Sequence, residues 1–168
     1  MIKFLVMDVD GTLTDGKIYI GNDGEAFKAF DVKDGYGIHN LLPQRDILPV
    51  IITARRSTIV ENRCKELDIR YLFQNVKFKA DELKRFLNNY NIENNTSFNL
   101  SNVAYIGDDI SDLECMEEIK FSNGIVGCPA NACQEAKEIS SYICKNNGGE
   151  GAVREFIEYI IRFKTLWK

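Results

Sequence analysis

The chain has 168 residues, 45% of them hydrophobic and 27% charged, and a formal net charge of −4. That length supports one buried core, with roughly 70% of the unfolded surface removed from water, while the acidic balance and the lack of a Lys/Arg stripe argue against a nucleic acid or an anionic membrane as partner. No apolar run approaches a membrane span or a signal peptide, and five scattered cysteines without a CxxC pair point to reduced thiols in the cytoplasm rather than a disulfide frame or zinc site.

Residues 2–7 read as a buried strand that ends in Asp8-Val9-Asp10-Gly11-Thr12. Two carboxylates therefore surface where a parallel sheet leaves its core, and both point one way if the extended geometry continues, since side chains repeat every second residue. Next, 17–20 and 26–30 flank Gly21-Asn22-Asp23-Gly24, a strong hairpin signal, so a β-hairpin flap over about 15–31 should stand beside that strand end. A helix over 36–42, a strand over 48–52, a helix over 58–67, a strand over 71–73 and a helix over 80–90 follow. Residues 94–102 are Asn-rich and aperiodic and read as a surface loop. A strand over 103–106, a helix over 112–119, a strand over 125–126 and a helix over 131–138 lead to a last helix over 152–163. There Val153, Phe156, Ile157, Ile160 and Ile161 recur at spacings of three and four. The glycine run 148–151 reads as a mobile hinge into it. The alternation of strands and helices predicts an α/β fold, a doubly wound parallel Rossmann-like sheet in a single domain over 1–168, with a C-terminal tail and helix over about 147–168.

Four polar clusters follow successive strand ends: Asp8 with Asp10, Thr53 with Arg55, Lys77 with Lys79, and Gly107-Asp108-Asp109 with Asp112. In a parallel sheet all four gather on one edge, where carboxylates suit a hard divalent cation and a hydroxyl and an ammonium suit phosphoryl oxygens. His39 is the single histidine and no serine stands in a nucleophile elbow, which excludes a Ser-His-Asp hydrolase. The glycine run lacks the Lys and Ser/Thr of a P-loop. A signalling receiver domain would need its acceptor Asp in the middle position that Thr53 holds.

Asp8-Val9-Asp10-Gly11-Thr12, Thr53, Lys79 and Gly107-Asp108-Asp109-Ile110-Ser111-Asp112, in that order, resemble the motifs of the haloacid dehalogenase superfamily of aspartate-nucleophile phosphotransferases. More narrowly, residues 8–16, Lys33-Asp34-Gly35-Tyr36-Gly37-Ile38, Ile51-Ile52-Thr53-Ala54-Arg55, Tyr105-Ile106-Gly107-Asp108-Asp109 and residues 148–155 are similar to the 3-deoxy-D-manno-octulosonate 8-phosphate phosphatase family, sugar-acid phosphatases of lipopolysaccharide precursor synthesis. The chain departs from that pattern at Ala54, where the family usually has Gly. Lys77 and Lys79 both stand as candidates for the motif lysine, with spacing from Tyr71 favouring Lys79.

The resemblance implies magnesium-dependent hydrolysis of a small sugar phosphate. Asp8 would be the nucleophile, Asp10 the acid and then the base, and Thr53 and Lys79 would hold the transferring oxygens. Magnesium would sit on Asp8, Asp108 and the Asp10 carbonyl, backed by Asp109 and Asp112. Substrate-binding candidates are Lys17, Tyr19, Asp34, Gly35, Arg55 and Arg154, with Arg55 or Arg154 placed to clamp the substrate carboxylate. Phosphatases of nine-carbon sugar acids carry Glu at the position of Arg55, so Arg55 favours the eight-carbon acid. A phosphatase-like subunit kept only for assembly is the alternative that the intact acid set disfavours. The 45 residues from Asp8 to Thr53 and the 26 from there to Lys79 are filled by predicted elements and leave no room for a separate cap domain. An uncapped site would lie open, and the resemblance implies a homotetramer in which a neighbour and its C-terminal tail cover it.

Overall fold

Phe4-Leu5-Val6-Met7 is apolar on both faces, as a strand in the middle of a parallel sheet must be, and it forms β1 (Phe4–Met7). A computed structural model describes residues 1–166, with side chains as far as 162, so the end of the expected 147–168 segment lies outside the described residues. The hairpin follows as β2 (Tyr19–Gly21) and β3 (Gly24–Phe27), an antiparallel pair apart from the main sheet, closed by Asn22 and Asp23. The main sheet adds β4 (Leu48–Ile52), β5 (Tyr71–Phe73), β6 (Val103–Ile106), β7 (Ile125–Cys128) and β8 (Tyr142–Ile143). These six strands are parallel, in the order β5-β4-β1-β6-β7-β8. The chain winds outward from β1 to β5, then returns to lay β6 on the other side of β1. The order therefore reverses between β1 and β6, the place where open α/β sheets bind ligands.

Alternation along β1 sorts the helices. Phe4 and Val6 pack with Val50, Ile52, Tyr105 and Val126 against α3 (Lys79–Asn94) and α4 (Ile110–Phe121). Leu5 and Met7 face the other way, with Ile51, Ala104 and Ile106, against α2 (Thr58–Glu66) and α6 (Ala152–Leu166). The same parity carries Asp8 toward α3 and α4. In α6, Val153, Phe156, Ile157 and Ile160 are fully buried, the stripe read in the sequence; each such side chain contributes about 1.5–3 kcal/mol.

Several boundaries differ from the pattern-based reading, each for a local reason. The helix expected over 36–42 starts earlier as α1 (Val32–Tyr36), because Asp31 accepts from the amides of Lys33 and Asp34. It then loosens into a π-helical turn over Gly37–Leu41 and a 3₁₀ turn over Pro43–Arg45. α3 runs beyond residue 90 to Asn94, and Asn95 closes it in the left-handed conformation. The Asn-rich stretch is an ordered cap, in which the Asn91 side chain donates to the Phe98 carbonyl and accepts from Thr96 and the Phe98 amide. α5 (Gln134–Ile139) starts three residues later than expected, and β8 is too short for a periodicity signal. No helix among the described residues is long and apolar enough to cross a membrane, and all five cysteines are free.

The glycine run 148–151, expected to be a mobile hinge, is a close-packed strap. Gly149 donates its amide to the Thr12 carbonyl at 3.1 Å, and Gly148 donates to Asn131 Oδ1 at 3.0 Å. A Cβ on Gly148 would lie 1.8 Å from the Gly11 carbonyl oxygen, inside the loop that follows β1. Gly148→Ala is therefore expected to destabilise the protein by about 1–3 kcal/mol and to lower turnover by displacing the 11–15 loop. Thermal unfolding measured beside phosphate release checks this, and a variant with unchanged melting and rate would contradict the packing argument.

Candidate active site

After Asp8 the chain leaves extended geometry, and the amides of Thr12, Leu13 and Thr14 all turn back to the Val9 carbonyl. The expectation that Asp8 and Asp10 point the same way rested on continued strand geometry, and the two carboxylates in fact meet different partners. Asp8 is buried against α3, where Lys79 Nζ lies 3.0 Å from its Oδ1. Asp10 meets the hairpin, accepting from Lys28 Nζ on Oδ1, with Arg55 Nε 3.8 Å from Oδ2.

Lys79 heads α3, and its ammonium also donates to Asp112 Oδ1 at 2.7 Å. Burial would pull this lysine down, but Asp8 and Asp112 more than offset that and hold it above its ordinary value. Of the two candidate lysines, Lys79 is the one at Asp8; Lys77 places its ammonium over the Phe78 ring.

Asp108 follows β6, across the switch point from Asp8, and accepts from Thr12 Oγ1 at 2.9 Å. Gly11 makes room for it: its φ is +91°, and a Cβ there would stand 2.0 Å from the Asp108 carboxylate. Asp112, fully buried on α4, accepts from Lys79 and Tyr105 on Oδ1 and from the amides of Asp108 and Asp109 on Oδ2. Those last two bonds explain why α4 begins at Ile110, two residues before the expected start, with Asp109 as its N-cap. Tyr105 joins this group by the alternation that puts it on the α3 and α4 face.

Oxygens of Asp8, Asp108 and Asp112 lie within 4.8 Å of one another. One ammonium does not balance three carboxylates in a buried space. Burial first, and then the Asp112 charge, push the Asp8 carboxyl up to about 6 against the pull of Lys79. Burial and the charges of Asp8 and Asp112 push Asp108 up to about 7. This donor set fits a hard cation with oxygen ligands. Asp112 has both oxygens engaged by four donors, which leaves Asp8 and Asp108 with lone pairs to offer.

Thr53 is buried at the end of β4, its amide bonded to the Phe73 carbonyl and its own carbonyl to the Val76 amide. Among the remaining candidates, Arg55 stands at the rim, with its guanidinium 3.6 Å from Glu25 Oε1. Tyr19 and Lys17 both engage Asp15 on the hairpin. Asp34 and Gly35 lie on the α2 and α6 face, lining a small cavity with Val9, Leu13, Ile38 and Ile51. There Asp34 accepts from the Arg154 amide at 2.7 Å, and burial lifts its carboxyl to about 6. Arg154 turns its side chain to Glu158 and over the Tyr36 ring.

Four contributors were not singled out from the sequence: Thr12, Tyr105, and the hairpin pair Glu25 and Lys28. Lys28 is buried and held above its ordinary value, because Asp10 and Glu25 outweigh the cost of burial. Thr12 and Tyr105 stand within runs that carry the family resemblance, whereas nothing local marks Glu25 and Lys28.

No protein-family model matches the chain. It is 39% identical over 160 residues to the 3-deoxy-D-manno-octulosonate 8-phosphate phosphatase KdsC of Escherichia coli K12, covering 95% of this chain and 79% of that one. Among solved structures it is similar to the 3-deoxy-D-manno-octulosonate 8-phosphate phosphatase of Moraxella catarrhalis in complex with magnesium, phosphate and KDO, with a TM-score of 0.86 and 36% identity, covering 99% of this chain and 94% of that one. The cobalt-bound form of the Haemophilus influenzae phosphatase matches with a TM-score of 0.85 and 32% identity, covering 96% of this chain and 88% of that one.

Proposed function

Because the chain belongs to the 3-deoxy-D-manno-octulosonate 8-phosphate phosphatase family of the haloacid dehalogenase superfamily, we propose that Asp8 attacks the phosphorus of this sugar-acid phosphate while Asp10 delivers the proton to the departing alkoxide. The reaction is magnesium-dependent hydrolysis of 3-deoxy-D-manno-octulosonate 8-phosphate to the free sugar acid and phosphate. The observation that carries the residue assignment is the packing of Asp8 against Lys79 and Asp108 at the switch point of the sheet.

In the first half-reaction the Asp8–phosphorus bond forms as the bond to the sugar oxygen breaks, and the Asp10 proton passes to that oxygen. In the second, Asp10 takes a proton from the water that attacks phosphorus, and Asp8 is released with phosphate. Lys79, fixed by Asp112, faces the charge that builds on the transferring oxygens, and Thr53 stands on the opposite side of β1 from Asp108 to hold them. Asp8 and Asp108, with the Asp10 carbonyl, would hold magnesium, which supplies charge neutralisation between an anionic nucleophile and an anionic phosphate. Asp109 and Asp112 orient this set through the start of α4. Arg55, on the rim, is the candidate for the substrate carboxylate, with Lys17 and Tyr19 beside it on the hairpin.

Arg55 on the rim and Ile18, Ile20 and Phe27 on the hairpin are exposed. These features support the homotetramer implied by the family resemblance, with a neighbouring subunit covering the site. Five free thiols, four of them buried, support a reducing, cytoplasmic setting. Phosphate release measured across sugar phosphates with added magnesium is expected to be fastest with the eight-carbon keto acid. A preference for a nine-carbon acid would overturn the role given to Arg55, and no release from any ester would favour an assembly subunit.

A further inference from the structure

The second arm of the hairpin sends a lysine inward while its apolar side chains stay in water. Ile20 and Phe27 are exposed, yet the Lys28 side chain is only 2% exposed. Its ammonium donates to Asp10 Oδ1 at 2.5 Å and pairs with Glu25 Oε1 at 2.9 Å. Glu25 is seated in turn by the hydroxyl of Ser57, the N-cap of α2, and by Arg55. Burying an ammonium is unfavourable unless carboxylates surround it, and tying a hairpin down requires no charge at that point. The contact instead bears on the one carboxylate that must be aimed.

We propose that Lys28 is the positioning residue for Asp10: by holding Oδ1 it leaves Oδ2, which lies 3.8 Å from Arg55 Nε and outside hydrogen-bond reach of it, as the oxygen that meets the leaving group. This rests on the reading of Asp10 as the proton donor. An ammonium donates to Oδ1 whether Oδ2 carries the proton or has released it, so one contact serves both half-reactions. The proton moves from Oδ2 to the sugar oxygen as that oxygen separates from phosphorus, and Asp10 remains as a carboxylate still held by Lys28. Glu25 and Ser57 keep the lysine from following the hairpin away from the site.

The test uses leaving groups of different need. A sugar alkoxide must be protonated as it departs, whereas p-nitrophenolate leaves readily without a proton, and kcat/KM reports only the steps up to that departure. Lys28→Met is expected to lose about 10²-fold in kcat/KM on the sugar-acid phosphate and less than about 5-fold on p-nitrophenyl phosphate. Equal losses on both esters, or none on the sugar phosphate, would overturn the proposal. Glu25→Gln keeps the lysine but loosens its seat, so it should show the same asymmetry at smaller size, and it decides the matter if Lys28→Met does not fold. Asp10→Asn measured alongside separates the two failures. Asymmetry in Asp10→Asn with none in the hairpin variants defeats the role of Lys28 alone; no asymmetry in Asp10→Asn defeats the reading of Asp10, and the proposal falls with it.

Discussion

Asp8→Asn is expected to abolish magnesium-dependent phosphate release, a loss of at least about 10⁴-fold, while the protein stays folded. The amide has the same shape as the carboxylate but offers no anionic oxygen to phosphorus, so the covalent route closes. Stability should not suffer, because Asp8 is buried in a space with two other carboxylates and one ammonium. Removing it relieves that crowding, and Lys79 keeps its 2.7 Å bond to Asp112. Phosphate release and thermal unfolding, measured on the same preparation without metal, separate the two effects. Turnover near the unaltered rate would remove Asp8 from the mechanism, and a collapse of melting would assign it a structural duty instead.

The parts of this site that could be read in the sequence share one property: they sit at strand ends, where period and order carry positional information. Asp8 and Asp108 follow adjacent strands of a parallel sheet, so their meeting follows from topology once β1 and β6 are recognised. Tyr105 obeys the same alternation, yet an aromatic inside an apolar strand looks like core until Asp112 is known to lie opposite its hydroxyl. Lys28 and Glu25 carry no such signal. Alternating charged and apolar residues on a short hairpin describe a solvated ribbon equally well, and only the fold of the hairpin onto α2 and Asp10 buries them. Asp34 and Gly35 stand in a run shared with the family, from which a substrate-binding role is expected. Here Asp34 fixes the start of α6 through the Arg154 amide. A motif match identifies which residues are constrained without stating whether the constraint is chemical or architectural.

Removing magnesium should abolish turnover and expose a pH dependence of stability that the bound ion conceals. In the metal-free protein burial raises the carboxyls of Asp8 and Asp108, to about 6 and about 7, aided by the Asp112 charge at Asp8 and by the Asp8 and Asp112 charges at Asp108. A carboxyl raised in the folded state stabilises the fold while protonated, and that contribution is lost as pH climbs through its folded value. The melting temperature without metal is therefore expected to fall between about pH 5 and pH 8. Magnesium binds the ionised forms, so its stabilising effect should run the opposite way, weakest at pH 5 and strongest at pH 8. Thermal unfolding with a chelator and with excess magnesium, repeated across that range, reads both trends at once. Asp108→Asn should flatten the metal-free slope and weaken the response to magnesium, because it removes the carboxyl raised furthest and a ligand together. Parallel curves with and without the ion would mean that these two carboxylates do not share it.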